Sequence, residues 1–220
     1  MKTKDQWIDL THKIGPDTLP FPGDPSLIIE FMKTDEQSGF SISNLSTGMH
    51  LGTHVDSPMH FLSKGKSISE IPLESWMGFA SKISVTSDRG IIKTIEIESK
   101  WNSISRHHHV LLINSGHDVL FGKREFYDEC PAFEPSFYDF LKQNSIRLVG
   151  LDLPTIQYPG KDHKTVHRDL LGSEILIVES LANLAMVPSE LFFMALPLNI
   201  SGLEASMVRA VGKKLDTDQS

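Results

Sequence analysis

The sequence predicts a mixed α/β protein, with a β-sheet or barrel-like core flanked by a few helices. Three observations carry that expectation. Short apolar runs end in turn residues, helical segments fall between them, and their order lacks the regular alternation of a Rossmann or TIM chain. The opening segment IGPDTLPFPGDPSL has four prolines and two glycines and reads as loop. Ile28 to Met32 (IIEFM) reads as a strand, and Phe79 to Thr86 (FASKISVT) alternates like a half-buried one. Ile91 to Ile104 mixes signals, with Ile95-Glu96-Ile97-Glu98 open to strand or helix start. Val110 to Asn114 (VLLIN), before Ser115-Gly116, reads as a buried strand entering a loop. Pro135 to Asn144 suits a short amphipathic helix, with proline in its first turn and apolar residues at 137, 140 and 141. Leu148 to Leu151 is a second buried strand, His163 to Leu171 a helix, and Ile175 to Val178 (ILIV) a β-branched strand running into Glu179. Leu191 to Leu198 reads as the last strand, with Pro197 near its end.

The chain of 220 residues is long enough for one substantial core, and no repeat or linker divides it, so one domain over 1–220 is expected. A formal charge of −7 argues against a surface that tracks nucleic-acid phosphates. No run approaches the roughly 20 apolar residues that cross a bilayer, and MKTKDQWIDLTHKIG lacks the apolar core of a signal peptide. A cytoplasmic, single-domain protein is the expectation. Cys130 is the single cysteine, which rules out an internal disulfide and a cysteine-based zinc cage. Ten histidines are the compositional hint of more.

Four metal-capable side chains sit in HLGTHVDSPMHFL: His50, His54, Asp56 and His60. Imidazole nitrogen and carboxylate oxygen bind zinc at about 2.0–2.2 Å, so donors to one ion must converge. On a straight strand His50 and Asp56 would lie roughly 20 Å apart, and on a helix Asp56 would point away from His50 and His54. Sharing an ion therefore needs a bend between them. Gly52 is free to supply unusual dihedrals, and Pro58 stops helical continuation. The plain alternative is chance clustering in a histidine-rich chain. The zincin pattern H-E-x-x-H fails, because Leu51 follows His50. An iron facial triad of His54, Asp56 and a distant histidine leaves His50 and His60 unexplained.

HLGTHVDSPMHF resembles the H-x-G-T-H-x-D-x-P-x-H signature of the cyclase-like metal hydrolases, which include bacterial kynurenine formamidases and isatin hydrolases. Asp9-Leu10-Thr11-His12, Pro22-Gly23-Asp24-Pro25, Leu112 to Gly116, Gly150-Leu151-Asp152, Pro197-Leu198 and Val208-Arg209-Ala210 extend the resemblance along nearly the whole chain. It implies a swivelling β/β/α fold with His50, His54 and Asp56 on one zinc. Asp56 would bridge to a second ion completed by His167 and Glu179 of HRDLLGSEILIVESLANL. Zinc is the implied metal and manganese the alternative. Read without the resemblance, Glu179 is a solvent-facing strand end and His167 an exposed helix residue. His60 resembles the family's acid/base histidine, and Phe21 its substrate-contacting aromatic, the plain alternative being a loop residue capping the core.

The implied reaction is hydrolysis of an amide or strained ring carbonyl by metal-activated water, with His60 protonating the departing nitrogen. N-formylkynurenine is the first substrate to consider, ahead of isatin-like cyclic amides and lactones. Asn114-Ser115-Gly116, Glu204 and Met207 depart from the family's usual residues and leave the substrate open. A non-catalytic metal-binding protein is the reading from another class, and it gives His60 no task. A homodimer or higher homo-oligomer is implied by the resemblance alone. His107, His108 and His109 read as a solvated turn, His117 as a loop residue approaching the site, and His12 and His163 have no role assigned.

Overall fold

The computed structural model describes residues 7–33, 39–104, 108–161 and 163–215. Among them, nine strands build one mixed sheet in the spatial order Trp7–Asp9, Val211–Lys214, Glu190–Met194, Met77–Ser84, Val110–Asn114, Leu148–Leu151, Leu176–Glu179, His54–Asp56 and Ala205–Met207. The four strands from Met77–Ser84 to Leu176–Glu179 are parallel, and the strands on either side join antiparallel. This is the mixed α/β architecture the apolar runs predict.

Side-chain alternation explains why the central strands read as continuous apolar runs. Leu111, Ile113, Val149, Leu151 and Ile177 enter a core on one face, under the helices Thr94–Trp101, Ser136–Gln143 and His163–Gly172. Val110, Leu112, Leu148, Leu176 and Val178 enter a second core on the other face, with Val55, Leu191 and Phe193. The sheet encloses this second core by curling. Leu10 donates its backbone N–H to Ala210 and accepts from Ala182, and Thr11 bridges to Leu181, so the first strand meets the far end of Leu176–Glu179. Gly150 lies in this packed interior. A Cβ there would meet the Leu112 and Leu181 terminal methyls at 2.7 and 2.8 Å, so glycine lets these layers close without moving either side chain.

The expected elements appear with shifted ends. Val110–Asn114 and Leu148–Leu151 match. The helix expected over 135–144 spans Ser136–Gln143, and that over 163–171 runs to Gly172. The strand expected over 79–86 is Met77–Ser84, and the one over 191–198 is Glu190–Met194, ending before Pro197. The mixed segment 91–104 splits into a two-residue strand at Ile91–Ile92 and the helix Thr94–Trp101. Ile28–Lys33 pairs with Ile42–Ser46 in a separate two-stranded sheet, on which Phe31 is 71% exposed. No helix among the described residues is long and apolar enough to cross a membrane.

Candidate functional site

The short strand His54–Asp56 organises the site. Alternation sends Val55 into the curled core and leaves His54 and Asp56 together on the helix-covered face. Its neighbour pairs antiparallel, placing Glu179 opposite His54 and Ile177 opposite Asp56. Ser180, just after Glu179, takes a left-handed φ of 54°, which ends that strand. From above, the helix His163–Gly172 turns its buried face down with Val166, His167, Leu170 and Leu171. His54, Asp56, His167 and Glu179 are only 2%, 0%, 2% and 4% exposed. The solvent-facing readings of His167 and Glu179 therefore do not hold. The central strands and the helix carry both residues into the interior.

The bend required between His50 and His54 is present. Gly52 sits at φ 61°, and the chain turns through residues 49–53 before the strand begins. His50 Nδ1 thereby comes to 3.0 Å from Asp56 Oδ1. Pro58 opens a single 3-10 turn, Pro58–His60, which carries the His60 ring to a centroid distance of 4.2 Å from His50.

The remaining contacts close the cluster. His54 Nε2 lies 3.6 Å from Asp56 Oδ1 and 3.4 Å from Glu179 Oε2. His167 Nε2 lies 3.0 Å from Glu179 Oε1 and 3.6 Å from Asp56 Oδ2. Two donors held 2.0–2.2 Å from one ion at tetrahedral angles stand about 3.4 Å apart, so these spacings suit a shared cation. Among the described residues, two sets of donor atoms lie within 4.8 Å of one another, His50–Asp56–His60 and His54–Asp56–Glu179, with Asp56 in both.

Ring orientation sharpens this. His54 Nδ1 faces the Gly52 carbonyl at 2.8 Å, and His167 Nδ1 faces the His163 carbonyl at 2.9 Å. A carbonyl only accepts, so both Nδ1 atoms carry the proton. In neutral rings, both Nε2 lone pairs then point at carboxylate oxygens, a repulsive arrangement unless a cation or an extra proton stands between. His54 Nε2 and both Asp56 oxygens are buried without a hydrogen-bond partner. Glu179 Oε1 also accepts from the Ile156 backbone N–H at 3.1 Å, which fixes the carboxylate.

Charge follows the same geometry. Burial disfavours charge on His50, but the Asp56 and Glu204 carboxylates outweigh it and hold its pKa up to about 10. Burial likewise opposes charge on His167, and Glu179 with Asp56 lifts it to about 9. Burial would raise Asp56 and Glu179, yet the imidazoles around them keep both below the usual carboxylate range. His60 behaves oppositely. Burial pushes it down to about 4, only partly opposed by Asp56, so it is neutral at pH 7.

Beside the cluster lies a cavity of 410 Å³, lined by His50, His54, His60, His167 and Glu179 on one side and by Phe21, Phe61 and His163 among others. Phe21 reaches it from the loop, 5.9 Å from His163 and 5.8 Å from Tyr127 between ring centroids. Phe61, His163 and Glu204 are site residues the sequence reading missed. His163 lies one turn before His167 on the same helix face, a signal the spacing contains. Glu204 has no such local mark, and its carboxylate stands 3.5 Å from His50 Nε2.

His117 stays outside the cavity lining, with Nε2 on the Phe126 carbonyl at 2.8 Å. His12 stacks on Phe121 at 3.8 Å. His109 is exposed and its Nδ1 meets the Ser145 carbonyl, while His108 is half-buried beside Phe79. His107 lies outside the described residues.

A curled mixed sheet thus gathers three imidazoles and two carboxylates beside a cavity of 410 Å³, a donor set with the chemistry of a metal site. A family model described as "Putative cyclase" matches residues 8–158. A kynurenine formamidase of Bacillus mycoides (strain KBAB4) is 32% identical over 213 residues, 96% of this chain and 98% of its own. Isatin hydrolase A from Labrenzia aggregata, bound to benzyl benzoate, shares the fold with a TM-score of 0.83 at 23% identity, over 96% of this chain and 94% of that one. Isatin hydrolase A from Ralstonia solanacearum does so at 0.84 and 19%, over 96% and 92%. The chain belongs to the cyclase family.

Proposed function

We propose that this chain is a metal-dependent hydrolase of C–N amide bonds, with N-formylkynurenine as its first-choice substrate. The relatives named kynurenine formamidase, similar over their full length, support this choice. The observation that carries the metal reading is the pair of buried Nε2 atoms, on His54 and His167, aimed at carboxylates while their Nδ1 protons are committed to backbone carbonyls. On this reading His50, His54 and Asp56 hold one ion, and Asp56, His167 and Glu179 hold a second. Zinc suits the imidazole-rich donor set, with manganese as the alternative. When bound, such ions supply Lewis acidity, polarising an amide carbonyl and making hydroxide available from water near neutral pH.

The chain's own groups do the rest. Phe21, Phe61 and His163 offer an apolar, aromatic wall for an aryl ring. His60, neutral at pH 7, accepts the proton of the attacking water as its oxygen bonds to the formyl carbon. It returns that proton to the aniline nitrogen as the C–N bond breaks, giving the free amine and formate. A ring amide such as isatin would be opened by the same transfers, with both products staying in one molecule. We further propose a homodimer, supported by the exposed apolar residues Ile28, Phe31, Met32, Ile42 and Leu45 on the paired strands Ile28–Lys33 and Ile42–Ser46. Light scattering of the purified chain reads this directly, and a monomer at micromolar concentration would refute it.

The test of function offers purified protein N-formylkynurenine, isatin and simple lactones, with and without chelator. Formamide hydrolysis that chelator abolishes and zinc restores is expected. Metal-independent turnover, or turnover by His60→Ala equal to wild type, would overturn the mechanism. Metal uptake with no hydrolysis of any substrate would instead support the non-catalytic reading.

A further inference from the structure

The imidazoles of His50, His54 and His167 each turn one ring nitrogen inward to a buried carboxylate and the other toward a second oxygen. For His54 and His167 the outer nitrogen is Nδ1, held by the Gly52 and His163 carbonyls. His50 is reversed. Its Nδ1 faces Asp56 Oδ1 at 3.0 Å, and its Nε2 points out toward Glu204 Oε1 at 3.5 Å. We infer that Glu204 is a positioning residue for the metal site: its carboxylate accepts the His50 Nε2 proton and fixes the tautomer whose Nδ1 lone pair faces inward.

The sheet delivers Glu204 to that place. Its carbonyl accepts from both the backbone N–H and the hydroxyl of Ser57, at 2.8 and 2.9 Å, and Ser57 follows Asp56 directly. Ala205, the next residue, pairs with Asp56 across the edge strands. Glu204 is thus tied by its backbone to Ser57, the residue next to Asp56. Its side chain is 37% exposed, so holding the charge there costs little desolvation. A carboxylate behind an imidazole makes the ring a stronger donor than a peptide carbonyl does. His50 is therefore the imidazole of the three whose donor strength a single side chain tunes.

The inference rests on the ligand role proposed for His50, and the experiment separates the two. Zinc affinity is measured on the full chain by competition with a chromophoric chelator, for wild type, Glu204→Gln and Glu204→Ala. Long-range proton–nitrogen NMR of the zinc-loaded proteins reads the His50 tautomer. The expectation is that Glu204→Ala weakens zinc roughly 10–100-fold, with His50 losing its single Nε2–H form, and that Glu204→Gln, keeping an acceptor without charge, falls between. Wild-type affinity and an unchanged tautomer in both variants would overturn the role of Glu204 alone. Wild type that takes up no zinc would overturn the ligand reading and this one with it.

Discussion

Among the described residues, His12 and His117 contrast with His50 and His167 in what faces each ring. His12 and His117 pack against Phe121 and Phe126, with ring centroids 3.8 and 5.3 Å away. Burial pushes His12 down, only weakly opposed by Asp118, so it stays neutral. His50 and His167, more deeply buried, are held up to about 10 and 9 because carboxylates stand against them. Burial alone thus makes a histidine a hydrophobe with a polar edge. Burial against Asp56 and Glu179 holds a proton on the ring, and on the proposed reading a cation takes that proton's place.

The largest expected contrast comes from deleting the shared carboxylate. Asp56→Ala should cost on the order of a thousandfold or more in kcat/KM and empty both donor groups of metal, whereas His117→Ala should leave turnover within about twofold and lower stability by roughly 1–3 kcal/mol through lost aromatic packing. Steady-state kinetics and thermal unfolding of the two variants read this. An active, metal-loaded Asp56→Ala would erase the distinction between the two groups.

Proton release is the next effect. With pKa values near 10 and 9, His50 and His167 carry protons at pH 8 in the metal-free protein. Ligation needs neutral rings, so loading zinc at pH 8 should release about two protons per chain, and affinity should rise with pH until it levels near pH 10. Calorimetry in buffers of different ionisation enthalpy counts them. The same raised values stabilise the metal-free fold fully below about pH 6.5, and that contribution is lost as pH climbs through 9 to 10. The depressed carboxylates act in the other direction, losing their contribution in strong acid.

Smaller changes probe the backbone. Gly52→Ala places a Cβ 2.8 Å from Ile14 Cγ2 at a φ of 61°. It should cost about 1–3 kcal/mol and weaken zinc by shifting His50 against His54, which unfolding and chelator competition would show. His12→Phe, which keeps the stack on Phe121, should change stability by less than about 1 kcal/mol and leave metal affinity alone.

Much of this layout was legible in the residues. VLLIN and LVGL read as strands because both of their faces are buried, and the bend at Gly52 followed from the reach of metal–ligand bonds. The short strands Trp7–Asp9, Ala205–Met207 and Val211–Lys214 were missed, since three or four residues carry too little periodicity to stand out. Glu204 stood out in the sequence only as a departure from the family's usual residue that bears on the substrate, not as a neighbour of His50. Only the pairing of Ala205–Met207 with His54–Asp56 brings it to His50. His167 and Glu179 needed the family resemblance, because nothing local says whether a helix or strand end faces solvent or core.

The central claim, that this buried cluster is a divalent-cation site, is tested most directly by titrating metal-free protein with zinc and counting the equivalents bound tightly. The account predicts two per chain, both lost together in Asp56→Ala. A wild-type chain that binds none, or an Asp56→Ala chain that still binds two, would contradict it.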